Sequence, residues 1–169
     1  FNANFSTTAK LNVFNEPLTI NYSLPGLYNV YNVLAATSIT DTLKIDHTQI
    51  REKIEDFSAA FGRFQSVQIY NRSAVIFLIK NPAGANEVIR TLSLRSDLNI
   101  LAILNDKIAD GKDVSWIWDT NWEILAEKTK AISISGIRSW DLAMRLKYAG
   151  FRLSKNNIYK DIYYSLQIS

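Results

Sequence analysis

The sequence contains no cysteine and only one histidine among its 169 residues. Without thiols there is no disulfide framework and no thiolate metal site, which accords with a reducing compartment and makes a cytoplasmic location the default expectation. A single histidine leaves the chain unable to assemble a Ser-His-Asp or Cys-His centre by itself in the usual way, and no metal ligand set is expected. Long apolar runs are missing as well. Ala74 to Ile79 and Ile100 to Leu104 are among the longest, far too short to cross a bilayer, and no basic segment followed by an apolar one opens the chain. Neither sign of charge dominates: 19 Lys and Arg against 16 Asp and Glu leave +3, and the basic residues are spread along the chain. That spread argues against a dedicated nucleic-acid binder.

What remains is ordinary globular usage, 47% apolar and 21% charged, so neither disorder nor a fibrous fold is in question. The length suits one well-cored domain or one domain plus a fragment of another, and the second arrangement is expected. Residues 5–24 read as two strands around the "NEP" turn at 15–17, because "AKLNVF" and "LTINYSL" alternate apolar with polar positions. A helix follows from about Leu27 to Leu43. In "IDHTQIREKI", Asp46 and Gln49 have the spacing of a helix cap and its partner, which makes His47 a solvated first-turn residue. Ile50, Ile54, Phe57 and Phe61 then recur at helical spacing, with Gly62 as the stop.

Beyond "GR" strands alternate with helices. "SVQIY" and "AVIFLI" flank a turn at "NRS", "GANEVIRTLSL" reads as a helix, "NILAILN" as a buried strand, "AISIS" as another strand, and Arg138 to Ala149 as a helix closed by Gly150. This order predicts an α/β fold with an open, mostly parallel sheet and flanking helices, and a domain boundary near residues 58–62. Ligands of such sheets lie outside the carboxyl ends of the strands. Three loops are therefore expected on one edge: "KNPAG" after Ile79, "NDKIADGKDVSWIWD" after Leu104 and "SGIR" after Ser135.

Each loop has a chemical and a plain reading. If 113–119 is extended, Asp113, Ser115, Ile117 and Asp119 face one way and Val114, Trp116 and Trp118 the other, so packed tryptophans hold out positioned acids. The alternative is a turn at Asp110 and Gly111, with Asp113 capping amides and the tryptophans filling the core. Lys80 and the helix start beside it could receive an anion, as could Arg138, yet a strand-to-helix turn and an exposed arginine also account for them. Asn29 and Asn32, three apart on one helix face, can converge on a single partner such as a base edge, or can simply be polar residues near a helix start.

"PGLYNVYNVLAA", "FGRFQS", "LIKNPAG", "LNDKIADGKDVSWIWD" and "SGIRSWDLAMRLKYAG", in that order, resemble the C-terminal portion of the MurT family, the Mur-ligase-like subunits of lipid II isoglutaminyl synthase. The resemblance runs from about Leu24 to Gly150. It implies a Rossmann-like C-terminal domain of Mur ligase type over 61–169, preceded over 1–60 by the end of the central, ATP-binding domain. It also implies a partner, the class I glutaminase GatD, and a substrate, lipid II at the inner face of the membrane. With ATP and Mg²⁺ such subunits turn the α-carboxyl of the stem-peptide D-glutamate into an acyl phosphate, which ammonia from the partner converts to the amide.

Carried over residue by residue, the resemblance gives Asn29 and Asn32 to adenine, with Tyr28 in place of a histidine. It matches Arg63 to the arginine of "GRxE", with Gln65 replacing the glutamate. Phe77 stands where an aspartate binds ribose, so Lys80 or Asn81 would supply nucleotide contacts. An aspartate of this domain is implied to complete the glutaminase triad, and Asp119 is the first choice and Asp113 the second. The family's P-loop and four-cysteine zinc ribbon are both absent from the sequence. The chain is therefore expected to be a C-terminal piece that forms no acyl phosphate alone. The competing expectations are a non-catalytic docking module for a glutaminase-like partner and a fragment of another Mur-type amide ligase.

Overall fold

Alternation decides the first elements. In β1 (Thr7–Val13) every odd residue is buried and every even one exposed, and β2 (Glu16–Tyr22) buries Leu18, Ile20 and Tyr22. The strands pair antiparallel, Ala9 opposite Ile20 and Leu11 opposite Leu18, so the buried residues share one face. This is a computed structural model, and it describes residues 6–13, 16–57 and 63–168. The expected domain boundary at 58–62, Phe61 and Gly62, and the start of the "NEP" turn at Asn15 lie outside those residues.

Helix α1 (Leu27–Thr42) places Val33 on the apolar face of this hairpin, with Val30 and Leu34 packed alongside. Helix α2 (His47–Glu55) starts where Asp46 accepts the Thr48 amide at 2.8 Å, a cap that also holds the Asp46 carboxyl below its ordinary range. It is shorter than its apolar spacing predicts. Ile50 and Ile54 reach the core, but Glu55 turns to accept the Asn21 amide at 2.9 Å and Phe57 is left 56% exposed beyond the helix. His47 differs from its expected solvated state too: its ring bridges Asp41 of α1 at 2.5 Å and Glu16 of β2 at 3.4 Å.

Strands β3 (Arg63–Ile69) and β4 (Arg72–Phe77) form an antiparallel hairpin that is a two-stranded sheet of its own. The strand expected to end at Ile79 thus ends at Phe77 and does not join the parallel sheet. Among the described strands it pairs with β3, and Phe77 packs edge-on against Phe64 with ring centroids 5.1 Å apart. The chain divides into two compact units, up to Leu78 and from Ile79.

The second unit is built on β5 (Leu98–Ile103), β6 (Thr129–Ser135) and β7 (Ile158–Tyr159), parallel and in that order, with Ala102 opposite Ile134 and Ser135 opposite Tyr159. Helix α3 (Pro82–Leu92), the short α4 (Glu123–Ala126) and α5 (Ser139–Tyr148) surround a core that includes Ile89, Ile117, Leu125, Ile134, Leu142 and Leu146. Each such fully buried aliphatic side chain contributes about 1.5–3 kcal/mol. Helix α5 ends as the sequence predicts. Gly150 takes φ 94°, its amide donates to Lys147 and that of Phe151 to Leu146, the paired bonds of a glycine-terminated helix. Helix α6 (Ile162–Ile168) closes the described chain. An α/β fold with a parallel sheet and flanking helices is therefore what the sequence forms, as expected.

Candidate functional site

The carboxyl ends of β5 and β6 meet at one edge. Gly136 takes φ 99° there, the Arg138 amide donates to the Leu104 carbonyl at 3.0 Å, and the Ile137 amide donates to the Asn105 side chain at 3.0 Å. Two of the three expected loops thus share the sheet edge. "KNPAG" arrives by another route: it follows the separate hairpin, and Lys80 Nζ donates to the Ala109 carbonyl at 3.1 Å. A shallow cleft of about 360 Å³ opens at the edge between Asn105, Gly136, Ser139 and the lysines 107 and 160, and among the described residues of this unit Lys80, Asn81, Asp113 and Asp119 do not line it.

Arg138 is not a free anion receptor. Its guanidinium bonds both oxygens of Asp141 at 2.8 and 3.0 Å and Asp106 at 3.2 Å. These carboxylates raise its pKa further, and Arg138 in turn holds the Asp141 carboxyl below the ordinary range.

The loop carrying the acids is not extended. Ser115–Asp119 is a 3-10 turn, whose period of three sends Val114, Ile117 and Thr120 inward in place of the alternating set. Trp116 packs against the core, whereas Trp118 stays 50% exposed, tilted against Tyr148 at 5.8 Å and 5.7 Å from the Arg145 guanidinium carbon. The two candidate aspartates now differ. Asp113 accepts the Ser115 amide at 2.8 Å, and its bonds with the Ser115 hydroxyl and amide lower its pKa. It is a capping residue. Asp119 is exposed, and among the described residues its carboxylate has no hydrogen-bond partner.

The backbone around Asp119 is held firmly. Arg145, only 4% exposed, donates from Nε to the Ile117 carbonyl at 3.2 Å and from Nη2 to the Thr120 carbonyl, while Glu123 balances its charge at 2.8 Å. Asn86 of α3 donates to the Asp119 carbonyl at 3.4 Å and accepts the Asn121 amide at 2.8 Å. Neither Arg145 nor Asn86 was singled out from sequence. Arg145 had a signal, since it sits on the stripe Leu142, Arg145, Leu146, Ala149, where a charge at a core position demands partners.

The nucleotide candidates are scattered over both units. Asn29 is buried and donates to the Pro25 carbonyl at 2.6 Å, and its oxygen faces Asn32 Nδ2 at 3.4 Å. The two amides do converge, but on each other, and only exposed Asn32 keeps an outward face. Arg63 opens β3, with its backbone opposite Phe77. Asn81 caps α3, accepting the Gly84 amide at 2.8 Å, and Lys80 holds Ala109.

Residues 78–169 match the family described as MurT ligase C-terminal, and this span coincides with the second unit. The chain is 36% identical over 132 residues to the lipid II isoglutaminyl synthase (glutamine-hydrolyzing) subunit MurT of Streptococcus pneumoniae, covering 77% of this chain and 30% of that protein. It is 35% identical over 128 residues to the corresponding MurT subunit of Staphylococcus aureus, covering 75% of this chain and 29% of that one. The chain thus spans less than a third of the length of these relatives. Among solved structures, the UDP-N-acetylmuramoylalanyl-D-glutamyl-2,6-diaminopimelate--D-alanyl-D-alanyl ligase of Acinetobacter baumannii superposes with a TM-score of 0.62 at 15% identity, over 92% of this chain and 32% of that one. A folylpolyglutamate synthase of Mycobacterium tuberculosis complexed with ADP and AMPPCP gives 0.62 at 16% identity, over 95% of this chain and 37% of that one. At such identities these structures speak for the fold alone, and it is the fold expected. The matched family span and the identities to the two MurT subunits place the chain in the MurT ligase C-terminal family, to which it belongs.

Proposed function

We propose that the chain is the glutaminase-coupled end of a lipid II isoglutaminyl synthase subunit, with Asp119 completing the catalytic triad of a GatD-type class I glutaminase. The observation that carries this reading is Asp119 itself: its backbone is tied through the carbonyls of Ile117, Asp119 and Thr120, while its carboxylate is exposed and unengaged. An acid that must orient an imidazole in another chain needs both properties. In the partner, a histidine oriented by Asp119 would take the proton of the nucleophilic cysteine as it attacks the glutamine amide, releasing ammonia and then glutamate on hydrolysis. Asp113, engaged by Ser115, would keep the loop in shape.

In a whole subunit ATP with Mg²⁺, when bound, would supply the activation of the D-glutamate α-carboxyl, which ammonia would then convert to the amide. Residues 1–60 would be the end of the central domain and 61–169 the C-terminal domain. The nucleotide residues fit this role unevenly. In the first unit Asn32 has an outward amide for an adenine edge, with Asn29 orienting it, and Arg63 is a residue that the resemblance gives to the nucleotide; in the second unit Lys80 and Asn81 are the residues it gives. A zinc ribbon does not fit, since the sequence contains no cysteine to ligate it. The site of action would be the cytoplasmic face of the membrane, and no described helix is long and apolar enough to cross it.

A second reading, a docking module without a catalytic role, draws support from the exposed aromatic surface of Trp118, Trp140 and Tyr148. Ammonia release by the purified glutaminase, measured with and without this chain, separates the two. Stimulation supports triad completion; binding with unchanged turnover supports docking.

A further inference from the structure

We infer that Arg145 and Asn86 are the positioning residues of Asp119. This rests on the reading of Asp119 as the acid given to the glutaminase, and it says how the chain keeps that acid aimed. A 3-10 turn of five residues has weak internal hydrogen bonding, and residues 115–119 have no strand or long helix to hold them. The support comes from outside the turn. Arg145 reaches from α5 to the carbonyls of Ile117 and Thr120, which bracket Asp119, and its fork geometry lets one planar group hold both. Asn86 reaches from α3 to the Asp119 carbonyl and to the Asn121 amide. The four contacts come from two helices on different sides of the sequence, so they fix both the position and the rotation of the Asp119 peptide. The burial of Arg145 agrees with this use, since a guanidinium at 4% exposure is tolerated only where its donors are occupied. Trp118 adds a cation–π contact to the same guanidinium, whose Cζ lies 5.7 Å from its ring centroid.

The experiment uses the full chain with the purified glutaminase and compares wild type, Asp119→Asn, Arg145→Lys, Asn86→Ala and the Arg145→Lys/Asp119→Asn double variant. Partner affinity and the kcat and KM for glutamine are read separately, and thermal unfolding reports on the fold. Lysine keeps the charge of residue 145 but cannot hold two carbonyls in a plane. Arg145→Lys is expected to bind the partner as wild type does and to lower kcat by about tenfold with KM unchanged, since a misplacement of about 1 Å costs up to about 100-fold. Asn86→Ala, at a partly buried site, is expected to lower kcat in the same direction and keeps the test open if Arg145→Lys folds poorly. In the Asp119→Asn background Arg145→Lys is expected to have no further effect on kcat, which a merely structural loss would not spare. If Asp119→Asn lowers turnover while both support variants match wild type, or if the double variant falls by the full extra factor, the inference is overturned and the role of Asp119 stands. If Asp119→Asn itself turns over as wild type, both fall.

Discussion

The Asn105 side-chain oxygen accepts the Ile137 amide at 3.0 Å, tying the loop that leaves β5 to the loop that leaves β6. The same junction brings Gly136 against the Leu104 carbonyl, where an added Cβ would lie 2.3 Å from the oxygen. Gly136→Ala is expected to destabilise the second unit by about 2–6 kcal/mol, backbone strain and overpacking contributing about 1–3 kcal/mol each. Gly111 has φ 91° with open space around its Cβ position, so Gly111→Ala should cost only about 1–2 kcal/mol. Chemical denaturation of the two variants checks the order; equal losses would contradict it.

Within α5, burial predicts opposite outcomes two residues apart. Leu146 is fully buried and Met144 is 54% exposed. Leu146→Ala should cost about 2–5 kcal/mol, and Met144→Ala less than about 0.5 kcal/mol. Unfolding midpoints in urea measure both.

The Arg138 pair makes a pH prediction. The folded-state pKa of Asp141 is depressed, chiefly by its hydrogen bonds from Arg138, so its contribution is present above the unfolded value near about 4 and is lost as pH falls through the lower folded value. Asp141→Asn should therefore lower the melting temperature at pH 7, and the gap from wild type should narrow below about pH 4. A gap that widens in acid would reverse the assignment.

The two asparagines of α1 should separate into a fold residue and a surface residue. Asn29→Ala leaves the Pro25 carbonyl without its donor in a buried place, a loss of about 1–3 kcal/mol. Asn32→Ala should leave stability within about 0.5 kcal/mol and raise the KM for ATP of the complete ligase. An unchanged KM would remove Asn32 from the nucleotide site.

Local signals in the sequence were reliable where one rule acted alone. The strict alternation of β1, the Asp46 cap and the Gly150 stop each specify a short segment without help from distant residues. Failures came where two local periods compete or where the partner is remote. Over residues 114–120, Val114 with Trp116 and Trp118 fits a strand, and Val114 with Ile117 and Thr120 fits a 3-10 turn; packing on the core chose the second. Nothing near β4 announces that it pairs only with β3, because strand partners are set by non-local pairing. The candidate acids were found from the sequence, but the distinction between them lies in Ser115, which occupies Asp113, and in Arg145 and Asn86, which hold the backbone of Asp119 from other helices.

The role of Asp119 in the triad is tested most directly by the rate of glutamine hydrolysis by the purified glutaminase partner mixed with wild-type chain, Asp119→Asn or Asp113→Asn. All three are expected to bind; wild type stimulates, Asp119→Asn does not, and Asp113→Asn retains stimulation with a lowered melting temperature. Equal stimulation by wild type and Asp119→Asn would contradict that role and leave the "DGKDVSWIWD" loop as a docking surface.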